Sequence, residues 1–464
     1  MSRTRFREMP GNPASVFGAA WLPDGEVGVD IASAGYVEQE IAANGEAGIW
    51  GYDDAGSAAL HGGRSYSTRL VIRRPADPHR FSGTVLLEPL HPDLDKAPTW
   101  RMTHRWVLAE GHAWVGVTHS AAIAADLAER FERYRGLDIP RVGAGFSADI
   151  VGQIAVALKT GELPLAGVAR ILLSGWSITG SLCRVYLQDG FLGRHAGPDG
   201  APAVDGILIG KSSGAFGRPG FPPLSEQSSP LPDGDPRRTV RGLVPTFEVL
   251  SETEGETHFP VLRDDSDAPG DRYRLYQVAG TSHRQLRPET ILTNDVQYAA
   301  TGGELGDTRI NEEPSDERFE LFGSALFAAL LRWVADDVAP PRAPRFAYAE
   351  TGALARDADG VVVGGIRPPW ISVPTAVHRP SSTPAPGACL PLARFPATGG
   401  PEQAASMIGH RIPFSPEEFA LRYGGEADYR ARLAAACDEL VAAGLSTRLD
   451  ADAYLAEVLE RRSR

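Results

Sequence analysis

Cysteine is scarce: the 464-residue chain has three, Cys183, Cys389 and Cys437, too few and too scattered for a disulfide framework. Positive charge is in deficit, with 46 Lys and Arg against 59 Asp and Glu and a net charge of −13 at pH 7. A nucleic-acid partner requires a basic surface, so this balance argues against one; it favours solubility instead. No hydrophobic run approaches a membrane span, and residues 1–13 are polar, with no apolar segment of the secretory kind. The chain therefore reads as cytoplasmic, without a membrane partner. Compact metal-ligand spacing such as H-E-x-x-H is missing. His91-Pro92-Asp93-Leu94-Asp95 could be drawn as a metal site, but a polar loop explains it better, so neither a metal nor a cofactor is expected. No internal repeat is evident.

What is present is an ordinary globular composition, 42% hydrophobic and 23% charged, in a chain long enough to bury a large core. From about residue 65 to 340, short β-branched runs alternate with helical patterns. Strands are expected near 68–73, 83–88, 112–118, 168–174, 204–210, 245–251 and 273–279. Helices are expected near 101–110, 121–134, 147–160, 177–189 and 316–336. That alternation predicts an α/β fold, a mostly parallel sheet with helices on both faces. Residues 1–64, rich in Gly, Ala and acids, read as an extension of loops and short strands packed on this core. Residues 341–464 begin rich in Pro and Gly and end in helices at 415–423, 426–443 and 450–462. Ser415 and Asp450 are caps there and Gly444 a stop. No low-complexity linker frees this extension, so it reads as integral.

The stretch Gly175-Trp176-Ser177-Ile178-Thr179-Gly180 carries the most chemical information. It follows the strand-like run Val168–Ser174 and opens the helix-like run Ser181–Leu187. A serine at a sharp strand-to-helix turn is a nucleophile elbow, which lifts the hydroxyl out of a sheet and needs small neighbours. Gly175 meets that need before the serine. After it, Thr179 stands where G-x-S-x-G has Gly, and Gly180 follows. Two other serines compete. Gly210-Lys211-Ser212-Ser213-Gly214 matches G-x-S-x-G literally, but the Pro- and Gly-rich stretch Ala215–Pro223 cannot start a helix. Ser147 reads as the N-cap of an amphipathic helix from Ile150 to Lys159, with Asp149 in its first turn.

A serine nucleophile of this kind calls for an acid and then a histidine further along the chain. The strand-like run Val244–Leu250 ends at Ser251-Glu252-Thr253-Glu254. A G-x-x-D type of turn at this place would align Glu254 with the acid; Glu252 lies closer to the strand end and is the alternative. The run Tyr273–Gly280 leads into Thr281-Ser282-His283, which places His283 as the general base. His258 follows the acidic turn and is a candidate to line the site, as is Trp176 beside the serine. An oxyanion hole would take the backbone N–H of Ile178 and a second N–H from Leu90 or His91, since Pro89 and Pro92 have none.

With these pieces in order, the chain resembles the bacterial "alpha/beta hydrolase domain" family. The resemblance runs through Ala34–Glu40, Tyr66–Pro75, Gly111–Val117, the elbow, Val278–His283, Gly364–Pro369, Val373–Ala376 and Ala443–Ser446. It implies a serine nucleophile at Ser177, a base at His283, an acid within Ser251–Glu254 and the α/β-hydrolase fold. Elbows of the family have the form G-x-S-Q-S/T-G, so Thr179 is usual there. Ile178 departs from the usual Gln, and Pro89 and His91 replace the Trp and Asn that follow Glu88; these changes flank the expected oxyanion hole.

The function expected is that of a cofactor-independent serine hydrolase acting on a small-molecule carboxylic ester or lactone through an acyl-enzyme. An acyltransferase or amidase would use the same three residues. A non-catalytic binding protein could share the fold, and would be favoured had the serine, acid and histidine been incomplete.

Overall fold

A computed structural model describes residues 4–9, 29–92, 95–213, 224–225, 234–285, 310–388 and 400–463. The apolar runs pair into one sheet of ten strands. They are β1 (Arg5–Glu8), β2 (Tyr36–Tyr52), β3 (Ala58–Pro75), β4 (Thr84–Pro89), β5 (Ala113–Val117), β6 (Arg170–Trp176), β7 (Gly206–Gly210), β8 (Thr246–Leu250), β9 (Ser266–Ala268) and β10 (Asp271–Gln277). Their spatial order is β1-β2-β3-β5-β4-β6-β7-β8-β10-β9. Neighbours from β5 to β10 are parallel, while β3 and β9 join antiparallel. The helices between them are α1 (Pro98–Glu110), α2 (Ala121–Arg130), α3 (Ala144–Lys159), α4 (Ile178–Gln188), α5 (Phe191–Arg194), α6 (Glu252–His258) and α7 (Glu320–Asp336).

Both faces of the sheet are covered, which is why its central strands read as continuous apolar runs. Alternate residues go to opposite faces. Val85, Leu87, Ile171 and Leu173 pack with Ile154 of α3 and Val185 of α4. Leu86, Leu172 and Leu208 pack with Val107 of α1 and Leu330 of α7. Because β4 lies between β5 and β6, the chain leaves β4 toward β5 and later returns past it to β6. Ligand sites of open α/β sheets form at such reversals, beyond the carboxyl ends of the strands. Here that place is the end of β6, where Ser177 follows.

The N-terminal expectation needs correction. Residues 36–75 form a long hairpin that extends the main sheet, and β3 runs straight through the expected boundary at 64. The Gly- and Ala-rich stretch gave no clean alternation because most of β2 is half-buried or buried on both sides. Ser147 is not a cap: α3 starts earlier, at Ala144 after Gly143 (φ +107°), and the Ser147 hydroxyl donates to the His119 carbonyl at 3.2 Å. Asp149 accepts from the Gly48 N–H at 2.6 Å and pairs with His195 at 2.8 Å, fastening the hairpin to α3. The C-terminal segment shares a hydrophobic cluster with the sheet: Phe346, Ile366, Trp370 and Tyr454 lie with Trp176 and Phe319. Its strands β12 (Ala376–Arg379) and β13 (His410–Pro413) form a small sheet with β11 (Glu313–Pro314), which precedes α7, in the order β11-β13-β12. Cys389, Asp93, Leu94 and the stretch Ala215–Pro223 lie outside the described residues. Among the described residues no helix is long and apolar enough to cross a membrane.

A buried ion cluster ties β2 and β3 to the loop after β4. Arg69 is fully buried and holds Glu40 at 2.7 Å and Asp95 at 2.8 Å. Thr118 adds a bond to the same Asp95 oxygen at 2.6 Å. Arg133 also reaches Glu40, but Arg69 is the cation that Asp95 pairs with, so removing Arg69 strands that buried carboxylate. Arg69→Met is therefore expected to cost about 3–5 kcal/mol, read as a lower urea midpoint at unchanged slope.

Candidate active site

The elbow is built by close backbone approach. Ser177 stands between β6 and α4 at φ +57° and ψ −122°, a conformation that L-residues rarely adopt. Its N–H donates to the Gly210 carbonyl of β7 at 2.9 Å. A Cβ on Gly175 would sit 2.2 Å from the Thr179 carbonyl oxygen, and one on Gly180 would sit 2.9 Å from the Gly210 oxygen. Both glycines are thus sterically required, and the displaced glycine of the motif is the one that passes β7. Thr179 staples the turn: its hydroxyl accepts from the Trp176 N–H and donates to the Trp176 carbonyl, both at 2.9 Å. In the otherwise buried run Ile171–Leu187, Ser177 and Ile178 alone are half-buried.

Ser177 Oγ lies 2.9 Å from His283 Nε2, and His283 Nδ1 lies 2.6 Å from Glu254 Oε1. Glu254 reaches back from the third position of α6, and its other oxygen accepts from the Ser251 N–H at 3.0 Å and hydroxyl at 2.5 Å. A capping arrangement therefore aims the carboxylate as it starts the helix. Burial works to raise the Glu254 pKa, but His283, Ser251 and Lys211 outweigh it and hold the carboxyl below its ordinary value.

Glu252 does a different job. One oxygen accepts from the Gly280 N–H at 2.6 Å and the other pairs with Arg356 at 2.8 Å. It faces away from His283 because the first and third residues of a helix turn point in different directions. Almost every polar backbone group around His283 is pinned in this way. Ala279 N–H goes to the Ile366 carbonyl (2.9 Å), and Trp370 Nε1–H to the Gly280 carbonyl (3.0 Å). Ser282 N–H goes to Glu317 (2.9 Å), His283 N–H to Thr253 Oγ1 (3.0 Å) and Arg284 N–H to the Met407 carbonyl (2.8 Å).

The remaining expected site residues fall elsewhere. Ile178 opens α4, so its N–H has no acceptor within the helix and stands at the positive end of the helix dipole. The Leu90 N–H is taken by the Val117 carbonyl at 2.9 Å and the His91 N–H by the Lys96 carbonyl at 2.8 Å. Strand pairing of β4 continues one residue past Pro89, so neither is the second oxyanion donor. Trp176 is 4% exposed; its Nε1–H donates to Thr99 Oγ1 at 3.1 Å and its ring meets Phe319 edge-on. It packs beneath the elbow rather than facing a substrate. His258 is fully buried, 3.7 Å from Glu248, and burial pushes its pKa down to about 4, so it too is a core residue.

Glu88, which the sequence marks only as the residue before a divergent pair, braces this end of the sheet. It accepts from the Thr99 N–H (2.7 Å), the Trp100 N–H (3.2 Å) and Trp114 Nε1–H (2.8 Å). A carboxylate thus caps α1 from another strand, and Thr99 in turn holds Ser174 and Trp176 under the elbow. The signal available in sequence was an acid at the end of an apolar run followed by Pro98 at the first helical position.

A mostly parallel sheet with antiparallel flanks, carrying a strained serine at a strand-to-helix turn, defines the α/β-hydrolase class. The chain belongs to the alpha/beta hydrolase domain family, whose sequence profile matches residues 7–456. No curated protein sequence matches it. Among solved structures it is similar to a thermostable esterase from Pseudomonas putida ECU1011, at 15% identity over 54% of this chain and 75% of that one, TM-score 0.30. Thermogutta terrifontis esterase 2 shares 12% identity over 45% of this chain and 77% of its own, TM-score 0.30. A Pyrobaculum calidifontis esterase shares 13% over 50% and 75%, TM-score 0.30.

Two predictions follow from the packing here. Gly210→Ala would drive a methyl to 2.1 Å from the Trp176 ring. It should lower stability by about 1–3 kcal/mol in thermal melts, and should slow labelling of Ser177 by a fluorophosphonate through displacement of the elbow. The second concerns pH. Burial pushes the Glu88 carboxyl up to about 7 from an ordinary 4.5, against the three N–H donors. A folded-state value above the unfolded one gives a contribution that is intact below about pH 4.5 and lost as pH rises toward 7. The loss is on the order of 3 kcal/mol. Urea melts at pH 5 and pH 8 should show that decline, and Glu88→Gln should remove it.

Proposed function

We propose that this protein is a cofactor-independent serine esterase that hydrolyses small-molecule carboxylic esters or lactones through an acyl-enzyme. The observation that carries this reading is the continuous hydrogen-bonded chain from Ser177 Oγ through His283 to Glu254, at 2.9 and 2.6 Å. In the proposed cycle, His283 Nε2 takes the hydroxyl proton as Oγ attacks the ester carbonyl. Glu254 stabilises the imidazolium and fixes its orientation. The new oxyanion meets the Ile178 N–H and the positive end of α4. His283 returns the proton to the departing alkoxide, which leaves as alcohol. Water, deprotonated by the same nitrogen, then attacks the acyl carbonyl; the bond to Ser177 Oγ breaks, His283 returns the proton to Oγ, and the carboxylic acid leaves. The loop anchors described above keep the base within reach of the serine throughout.

The test is turnover of p-nitrophenyl esters of short to medium chain length, together with fluorophosphonate labelling. Ser177→Ala should abolish labelling and reduce turnover to background. Glu254→Gln should lower kcat by roughly 10³–10⁴ and also lower the melting temperature, because the fold favours its charged form. Glu252→Gln should act on stability alone, which falls by about 2–3 kcal/mol while the folded enzyme stays within roughly tenfold of wild type. Ester turnover that survives in Ser177→Ala would refute the assignment.

A further inference from the structure

The Gly210-Lys211-Ser212-Ser213 stretch plays no part in the proposed cycle, yet it leads from β7 directly behind the site. Ser212 is locked to α4: its hydroxyl lies 2.9 Å from that of Ser181 and accepts from Arg184 Nε–H at 3.3 Å. Lys211 goes the other way. Its backbone takes a left-handed φ of +44°, unusual for a residue with a side chain. The side chain is 8% exposed. Its Nζ donates to the Ser282 carbonyl at 2.7 Å and lies 4.3 Å from the centroid of the Phe319 ring. Ser282 is thus clamped by opposite charges, Glu317 on its N–H and Lys211 on its carbonyl, immediately before His283.

We propose that Lys211 is a positioning residue for the base: its ammonium holds the peptide that carries His283 and sets a fixed positive charge next to the Glu254–His283 pair. The inference rests on the esterase reading for its kinetic consequence, not for its structural one. The charged groups that act on Lys211 are Glu317 and Glu320 around the start of α7, Glu254 of α6 and Arg101 of α1, in a setting where burial lowers the lysine pKa. Lys211 also acts on Glu254, so loss of the ammonium removes a positive charge from beside the carboxylate that His283 pairs with. The imidazolium then gains stability, and the neutral form that accepts the serine proton becomes scarcer at low pH.

The test combines kinetics with an NMR titration of the His283 ring, which needs no turnover. In Lys211→Met, the acid limb of kcat/KM and the imidazole midpoint should both move up, on the order of half a pH unit or more. Lys211→Arg should restore both. Lys211→Gln, which keeps a donor for the Ser282 carbonyl without the charge, should also move them up and serves if Lys211→Met fails to fold. A purely structural lysine would lower rate or stability and leave the midpoint in place; an unmoved midpoint in Lys211→Met, or in Lys211→Gln where the former is unfolded, overturns the inference. A shifted midpoint in a protein that hydrolyses no ester and takes no fluorophosphonate would keep the Lys211 inference and discard the esterase reading.

Discussion

The hydrogen bond from the Ser177 N–H to the Gly210 carbonyl, 2.9 Å long, holds the serine in a backbone conformation that costs on the order of 1–3 kcal/mol to maintain. Its neighbours are fixed by that requirement. β7 must come close enough to offer its last carbonyl, so Gly180 has no side chain; the Thr179 carbonyl excludes one at Gly175 and the Trp176 ring excludes one at Gly210. Trp176 fills the space beneath Gly210, and Thr179 closes the turn on itself. The strain is borne by the packed sheet below, where Leu172 and Leu208 are fully buried. A serine hydroxyl on a rigid turn is positioned before any ligand arrives, which is how a hydroxyl can react without the cost of ordering it first.

The other half of the site is held by charge rather than by steric fit. Glu252, Glu317 and Lys211 are all buried, and each fixes a backbone group of the loop that bears His283. Buried charges are expensive unless each has a partner. Here the partners are peptide groups of that loop as well as one another, so loop order and charge satisfaction are the same event. An imidazole held from behind in this manner has little freedom to leave the serine. It also feels a local field set by the balance of acids and bases around it.

Much of this was legible in the sequence. The elbow showed because a strand run, a glycine, a serine and a helix run occur in one short stretch, and the acid and histidine followed the next strands in the expected order. Glu254 rather than Glu252 is the carboxylate that meets His283, for a reason the turn comparison did not contain: the third position of a capped helix points back past its own start. Other features were hidden because they depend on pairing between distant segments. Leu90 and His91 looked free in a loop, whereas their N–H groups are taken by Val117 and Lys96. β2 lacked alternation because most of its residues are buried or half-buried, and β3 because it is exposed over residues 60–65 and then almost wholly buried. Trp176 and His258 lie close in sequence to reactive residues, and burial alone separates a core aromatic from one that faces a ligand.

The anchoring of the histidine loop has a consequence for the order in which the protein is made. Its peptide groups are tied to Ile366, Trp370 and Met407, residues translated well after the sheet and the elbow are complete. A ribosome that has finished the sheet has therefore not yet fixed the loop that bears His283. That loop gains its last backbone partners only when the segment through Met407 has emerged and packed, so a chain terminated before Ile366 would carry the Ser177 turn and His283 without the contacts that hold the two in register.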